Sequence, residues 1–298
     1  MCCRKLFPFQ AVLWTLVMGV GGCAAPGAVN QEYSSEGMDF VGETLPADFE
    51  FSISRGQVDL ENRYRSTVMV QSERGGCSGV VVAPRLVLTA AHCLCAPLVP
   101  DPAVQTIGTL DCAQSALVTS YSYRRRKGEH EHWDDSDRHT YDGAALVHSG
   151  FKAEFKNGGL VSVTADLAVV RLKEPLKSIP VDFKLPRGEV SLNESLVVVG
   201  YGDTAYRRAD AGLRHFGRNV VTDIHLSVDG NGAFVFRAEG AHALAGDSGG
   251  PCFREGKDGR WLVGINSGHA GGGTRSWYTS TFHYRAWIDE RIREAKVD

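Results

Sequence analysis

The sequence predicts an all-β protein that closes with one helix, and three observations carry that reading. Short runs rich in β-branched residues recur between turn-forming residues, the pattern of strands. Apolar residues show almost no helical spacing until the C-terminus. Thirty-four glycines supply the turns that many short strands need. Taken in order, the strand candidates are residues 66–71, 79–82, 167–172, 195–199 and 233–237. At the end, Trp287, Ile288 and Ile292 fall on one apolar stripe among charges, which predicts the helix.

Length and charge bound the rest. A chain of 298 residues has room for one large domain plus leader sequences, and a net charge of −3 leaves no strong nucleic-acid footprint. The basic run Arg124 to Lys127 is followed closely by acidic residues and reads as a solvated loop, with a polyanion contact as the alternative. Arg4 and Lys5 precede an apolar stretch, residues 11–20, too short to span a bilayer, so residues 1–22 read as an export signal. The stretch ends in Val20-Gly21-Gly22-Cys23, which resembles a bacterial lipoprotein box. Cys23 is then lipidated and attaches the protein to a membrane; ordinary secretion with cleavage near Ala28 is the alternative. Either route exports the protein, as a secreted chain or an outer-membrane lipoprotein. Residues 23–52 are polar, acidic and aperiodic, a linker or propeptide.

Chemistry is concentrated in three segments. Residues 88–93 present His92, residues 165–172 present Asp166, and residues 245–251 present Ser248. A serine hydroxyl is a poor nucleophile at neutral pH and needs an adjacent base; the base needs a carboxylate to fix its tautomer and stabilise the imidazolium. His92 takes the proton from Ser248 in this scheme, and Asp166 orients His92. The glycines around Ser248 allow a tight turn in which the N–H groups of Gly246 and Ser248 converge on a developing oxyanion.

With these flanks the chain resembles the trypsin/chymotrypsin family of serine proteases, as a bacterial exported member. Residues 77–93 resemble the family's strand, turn and strand leading to the catalytic His. Residues 198–202 are similar to its Gly-Trp-Gly strand, residues 261–267 to the strand after the nucleophile, and residues 278–288 to its closing strand and helix. The order His, Asp, Ser separates the chain from α/β-hydrolases and subtilisins. The resemblance covers residues 53–298 and implies two antiparallel β-barrels, about 53–175 and 176–298, with the site between them. It implies an endopeptidase acting on polypeptides through an acyl-enzyme, and a Cys77–Cys93 bridge. Nearness in sequence adds a Cys95–Cys112 bridge, which leaves Cys252 buried and unpaired beyond the nucleophile turn.

Ile53-Ser54-Arg55-Gly56 resembles the start of mature family members, at an offset to Cys77 of 77 − 53 = 24. The resemblance implies cleavage after Ser52, with the freed amine of Ile53 pairing with Asp247. The alternative is that Ile53 is a plain strand residue and Asp247 finds another partner. Six positions before Ser248, where trypsins carry an Asp at the base of the primary pocket, stands His242. Selection of Arg or Lys by ion pairing therefore loses its basis, and either an acidic preference aided by Arg275 or a small apolar one remains open. Ser267 matches the family's wall serine, whereas Gly268 and His269 replace its tryptophan and glycine.

The stretch 112–146 carries carboxylates that could hold calcium and His130, His132 and His139 that could attract zinc, yet no spacing matches a metal motif, so it reads as a hydrophilic surface insertion, with a metal site as the alternative. No cofactor is expected. Other function classes with the same residues are a catalytically weak, protease-like binding protein and an esterase.

Overall fold

The computed structural model describes residues 53–97, 101–125, 133–134, 137–157, 159–202, 213–226, 232–269 and 274–296. The leader, Cys23, the linker 23–52 and most of the acidic, histidine-rich segment, including His130 and His132, lie outside the described residues.

The first half begins with β1 (Gln57–Val58), β2 (Thr67–Ser72), β3 (Gly75–Ala83) and β4 (Leu86–Thr89), and then makes one helical turn, α1 (His92–Cys95). It continues through β5 (Gln105–Gly108), β6 (Ser115–Ser120), β7 (Arg124–Arg125), β8 (Trp133–Asp134) and β9 (His139–Val147). The strands β10 (Lys152–Lys156), β11 (Gly159–Thr164) and β12 (Ala168–Leu172) complete it. In the order β12, β4, β3, β2, β6, β9 these strands close an antiparallel barrel, while β11, β10 and β5 form a side sheet and β7 pairs with β8.

The second half holds β13 (Ser195–Gly200), β14 (His215–Leu226), β15 (Gly232–Arg237), β16 (Pro251–Gly256), β17 (Gly259–His269) and β18 (Arg275–Ser280). Their order is β14, β13, β16, β17, β18, β15, and pairing of β14 with β15 closes a second six-stranded barrel. The N-terminal β1 adds to the edge of β14, with Gln57 opposite Phe216. A short helix, α2 (Arg285–Glu294), ends the chain's described part.

The apolar runs in the sequence do not alternate with polar residues, and the packing gives the reason. Along β13, Leu196 and Val198 enter the core of the second barrel, whereas Val197 and Val199 face a separate core shared with the first barrel. The same split holds on β12, where Ala168, Val170 and Leu172 fill the first barrel and Val169 faces the shared core. Period-2 geometry thus buries both faces of a strand caught between two cores. Ile288 of α2 is buried in the shared core with Leu88, Leu167 and Phe253, and Trp287 and Ile292 pack partly against it.

All five strand candidates lie within or against β2, β3, β12, β13 and β15, and the C-terminal helix forms where expected. Both bridges are present: Cys77–Cys93 with a Cα–Cα distance of 6.1 Å and Cys95–Cys112 with 4.1 Å. Cys252 is buried and carries a free thiol; burial holds that thiol well above its ordinary pKa.

Candidate active site

Register between two strands brings the histidine and aspartate together. Ala168 of β12 sits opposite Thr89 of β4, so the residues just before β12 lie beside those just after β4. Asp166 precedes β12 and His92 opens α1. The turn that presents Asp166 runs through Ala165 at φ 48°, left-handed backbone that costs a residue with a Cβ about 1 kcal/mol. Both side chains are buried.

The carboxylate of Asp166 accepts three hydrogen bonds. The backbone N–H of His92 donates to Oδ1 at 2.8 Å, His92 Nδ1 donates to Oδ2 at 2.8 Å, and the Ser267 hydroxyl donates to Oδ2 at 2.5 Å. A donor at Nδ1 assigns the neutral tautomer with Nε2 as the basic nitrogen. Ser267 of β17 thereby ties the second barrel to Asp166, a contact that its place in a pocket wall did not suggest. The sulfurs of Cys77 and Cys93 lie within 4.8 Å of a His92 ring nitrogen, but they are joined to each other and offer no thiolate to a metal.

Ser248 is buried in a tight turn in which Gly246 (φ 84°) and Gly249 (φ 78°) adopt left-handed backbone. The Ser78 N–H donates to the Ser248 carbonyl at 2.8 Å, and the Gly249 N–H donates to the Asn266 carbonyl at 2.8 Å. A Cβ at Gly249 would stand 2.1 Å from Thr89 Oγ1 and 2.3 Å from the Ser78 carbonyl. The turn of the second barrel therefore presses on β3 and β4 of the first, three residues before His92. Only glycine permits that approach.

Ser78 is the residue that sequence reasoning missed. Its hydroxyl donates to the Gly246 carbonyl at 3.0 Å and accepts the Tyr201 N–H at 3.0 Å. Nothing in the spacing signals this; only its position beside Cys77 places it. Replacing Ser78 with Ala leaves a buried carbonyl and a buried N–H without this partner. Loosening of the turn is then expected to slow acylation of Ser248 about tenfold, which stopped-flow labelling of the variant measures.

Asp247 is fully buried, accepting from the N–H groups of Gly202 (2.8 Å) and Leu244 (2.9 Å). Burial pushes its carboxyl up to about 7 despite those two hydrogen bonds. Among the described residues no cation pairs with it. Ile53 is buried in the core of the second barrel, and its neighbour Ser54 bridges His242 through N–H to carbonyl contacts of 2.9 and 3.2 Å.

The pocket candidates are placed as follows. His242 is buried, and its Nδ1 donates to the Gly240 carbonyl at 3.0 Å, so Nε2 is the acceptor in the neutral ring. Gly268 is buried at φ 149° opposite Trp277, and the half-buried His269 stands opposite Ser276. Arg275, at the start of β18, is exposed. His139 is exposed on β9.

Comparison with known proteins agrees with this geometry. Phenoloxidase-activating enzyme 1 of Spodoptera litura is 26% identical over 254 residues, covering 74% of this chain and 60% of that protein. The chain thus spans about 60% of that relative's length. Among solved structures, the scabies mite inactivated protease paralogue S-I1 superposes with a TM-score of 0.56 at 19% identity, over 80% of this chain and 99% of that one. Human heparin binding protein gives a TM-score of 0.54 at 19% identity, over 79% and 94%. At that identity the two structures speak to the fold alone. The Trypsin family itself matches residues 53–288, a span that holds both barrels and the segments of His92, Asp166 and Ser248, and the chain belongs to that family.

Proposed function

We propose that the chain is an exported serine endopeptidase in which Ser248 attacks the scissile carbonyl. His92 Nε2 takes the hydroxyl proton and returns it to the leaving amine. Asp166 holds the Nδ1 tautomer, and the N–H groups of Gly246 and Ser248 stabilise the oxyanion. Water then hydrolyses the acyl-enzyme by the same route. The observation that carries this reading is the buried His92–Asp166 pair, locked by Ser267 from the opposite barrel.

Cleavage before Ile53 activates the enzyme by supplying an ammonium group to Asp247, whose buried carboxylate has only backbone donors among the described residues. The two disulfides suit an oxidising compartment, and lipidation of Cys23 belongs to the same export proposal. Polypeptides are the substrate class. His242, at the position of the pocket base, brings no carboxylate and so gives a P1 Arg or Lys no ionic partner.

The test is labelling of the processed protein with a fluorophosphonate, beside Ser248→Ala, with N-terminal sequencing of the labelled species. Labelling lost in the variant and an Ile53 terminus are expected. Absence of labelling in protein that begins at Ile53 turns the reading to a binding role; labelled protein beginning upstream overturns the activation step.

A further inference from the structure

We infer that the buried ion pair Arg214–Asp59, acting through Tyr201, positions the turn that carries Gly246 and Ser248; Arg214 and Tyr201 are positioning residues for the proposed hydrolysis. The inference rests on the hydrolase reading of the same site.

Arg214 is wholly buried just ahead of β14. Its Nε donates to Asp59 Oδ2 at 2.7 Å, and one terminal nitrogen donates to the Tyr201 hydroxyl at 3.0 Å. That nitrogen also reaches the carbonyls of Thr67 and Tyr121 at 3.4 Å, both on the first-barrel side. The guanidinium lies 5.3 Å from the ring centre of Tyr123 and 5.9 Å from that of Tyr201. Asp59 is fixed in turn by the N–H groups of Arg63 and Tyr64. The other terminal nitrogen of Arg214 has no hydrogen-bond partner among the described residues.

A buried ion pair is a poor way to gain stability, since apolar residues of the same volume serve as well or better. What it does provide is a fixed place for Tyr201. The Tyr201 hydroxyl donates to the Thr67 carbonyl at 3.1 Å while accepting from Arg214, so its ring is held at the end that enters the barrel interface. The backbone of Tyr201 and its neighbour Gly202 faces the nucleophile turn. The Tyr201 N–H reaches Ser78 Oγ, which holds the Gly246 carbonyl, and the Gly202 N–H reaches Asp247. Two neighbouring N–H groups thus hold the turn, one through Ser78 Oγ at the Gly246 carbonyl and one at the Asp247 carboxylate, and the ring beside them is fixed by Arg214. A shift of about 1 Å in donors aimed at an oxyanion is costly to rate but not to substrate affinity.

Removal of Arg214 leaves Asp59 buried without its cation and threatens folding, so Tyr201→Phe is the decisive variant, since it deletes one hydroxyl and keeps the ring. In the processed protein we expect kcat and the fluorophosphonate labelling rate to fall roughly tenfold with KM changed less than about twofold. Amide hydrogen exchange in the peptide containing Gly246 to Gly250 is expected to quicken, with strand β10 in the side sheet unchanged. Combined with Ser78→Ala, the loss is expected to be smaller than the product of the single losses, because both changes release the same carbonyl.

A lowered melting temperature with wild-type labelling rate and wild-type exchange in the 246–250 turn overturns the inference. Wild-type protein that never labels defeats the hydrolase reading instead, and the exchange comparison then decides the coupling by itself.

Discussion

Asp166→Asn is expected to lower kcat by about 10⁴ while the protein keeps its fold. The donors around the carboxylate show why. Oδ1 receives the backbone N–H of His92, a donor that cannot reverse, whereas Oδ2 faces Ser267 Oγ and the His92 ring. An asparagine must therefore place its oxygen at the Oδ1 position and its NH₂ at the Oδ2 position. The hydroxyl of Ser267 can turn to accept, but His92 Nδ1 must also become an acceptor, which moves the ring proton to Nε2. The nitrogen meant to take the serine proton is then already protonated. Active-site titration combined with single-turnover kinetics measures the loss. Activity near wild type would remove Asp166 from the mechanism.

Asp247 by itself is expected to take about 4 kcal/mol from the stability of the unprocessed chain as pH rises. Its carboxyl titrates at about 7 in the fold against an ordinary 3.8, and burial is the dominant cause. The folded chain holds that proton more tightly than the unfolded chain does. The stabilisation is complete below about pH 4 and is lost as pH rises through about 7; some three pK units make roughly 4 kcal/mol. Urea midpoints from pH 4 to pH 8 measure the slope, and Asp247→Asn is expected to flatten it. Cleavage before Ile53 is expected to flatten it as well, since an ammonium partner favours the charged carboxylate and draws its pKa down. A slope that survives both changes excludes Asp247 as its source. The same two experiments separate a free carboxylate awaiting its partner from one already satisfied by the N–H groups of Gly202 and Leu244.

Local features of the sequence were enough for the strands and for naming the candidate reacting groups. Runs such as residues 195–199 carry their β character in β-branching, and His92, Asp166 and Ser248 stand in segments whose order is informative. The two bridges were legible too, one from the family likeness and one from the nearness of Cys95 and Cys112. The face each side chain of β13 presents was not legible, because an all-apolar run gives no phase; only two flanking cores assign Leu196 and Val197 to opposite sides.

Ser78 and the group around Arg214 were equally silent, and Ser267 was legible as a pocket wall but not as a partner of Asp166. Ser78 and Ser267 act across the barrel interface, on Gly246, 168 positions away, and on Asp166, 101 positions away, while Arg214 pairs with Asp59, 155 positions away. The sequence by itself determined which chemistry we propose for this protein, since the candidate nucleophile, base and orienting acid are properties of residue type and local flank. The tertiary structure alone decided how that chemistry is held in place. Hydrogen bonds between distant segments depend on barrel closure, and barrel closure is a property of the whole packed chain that no local window contains.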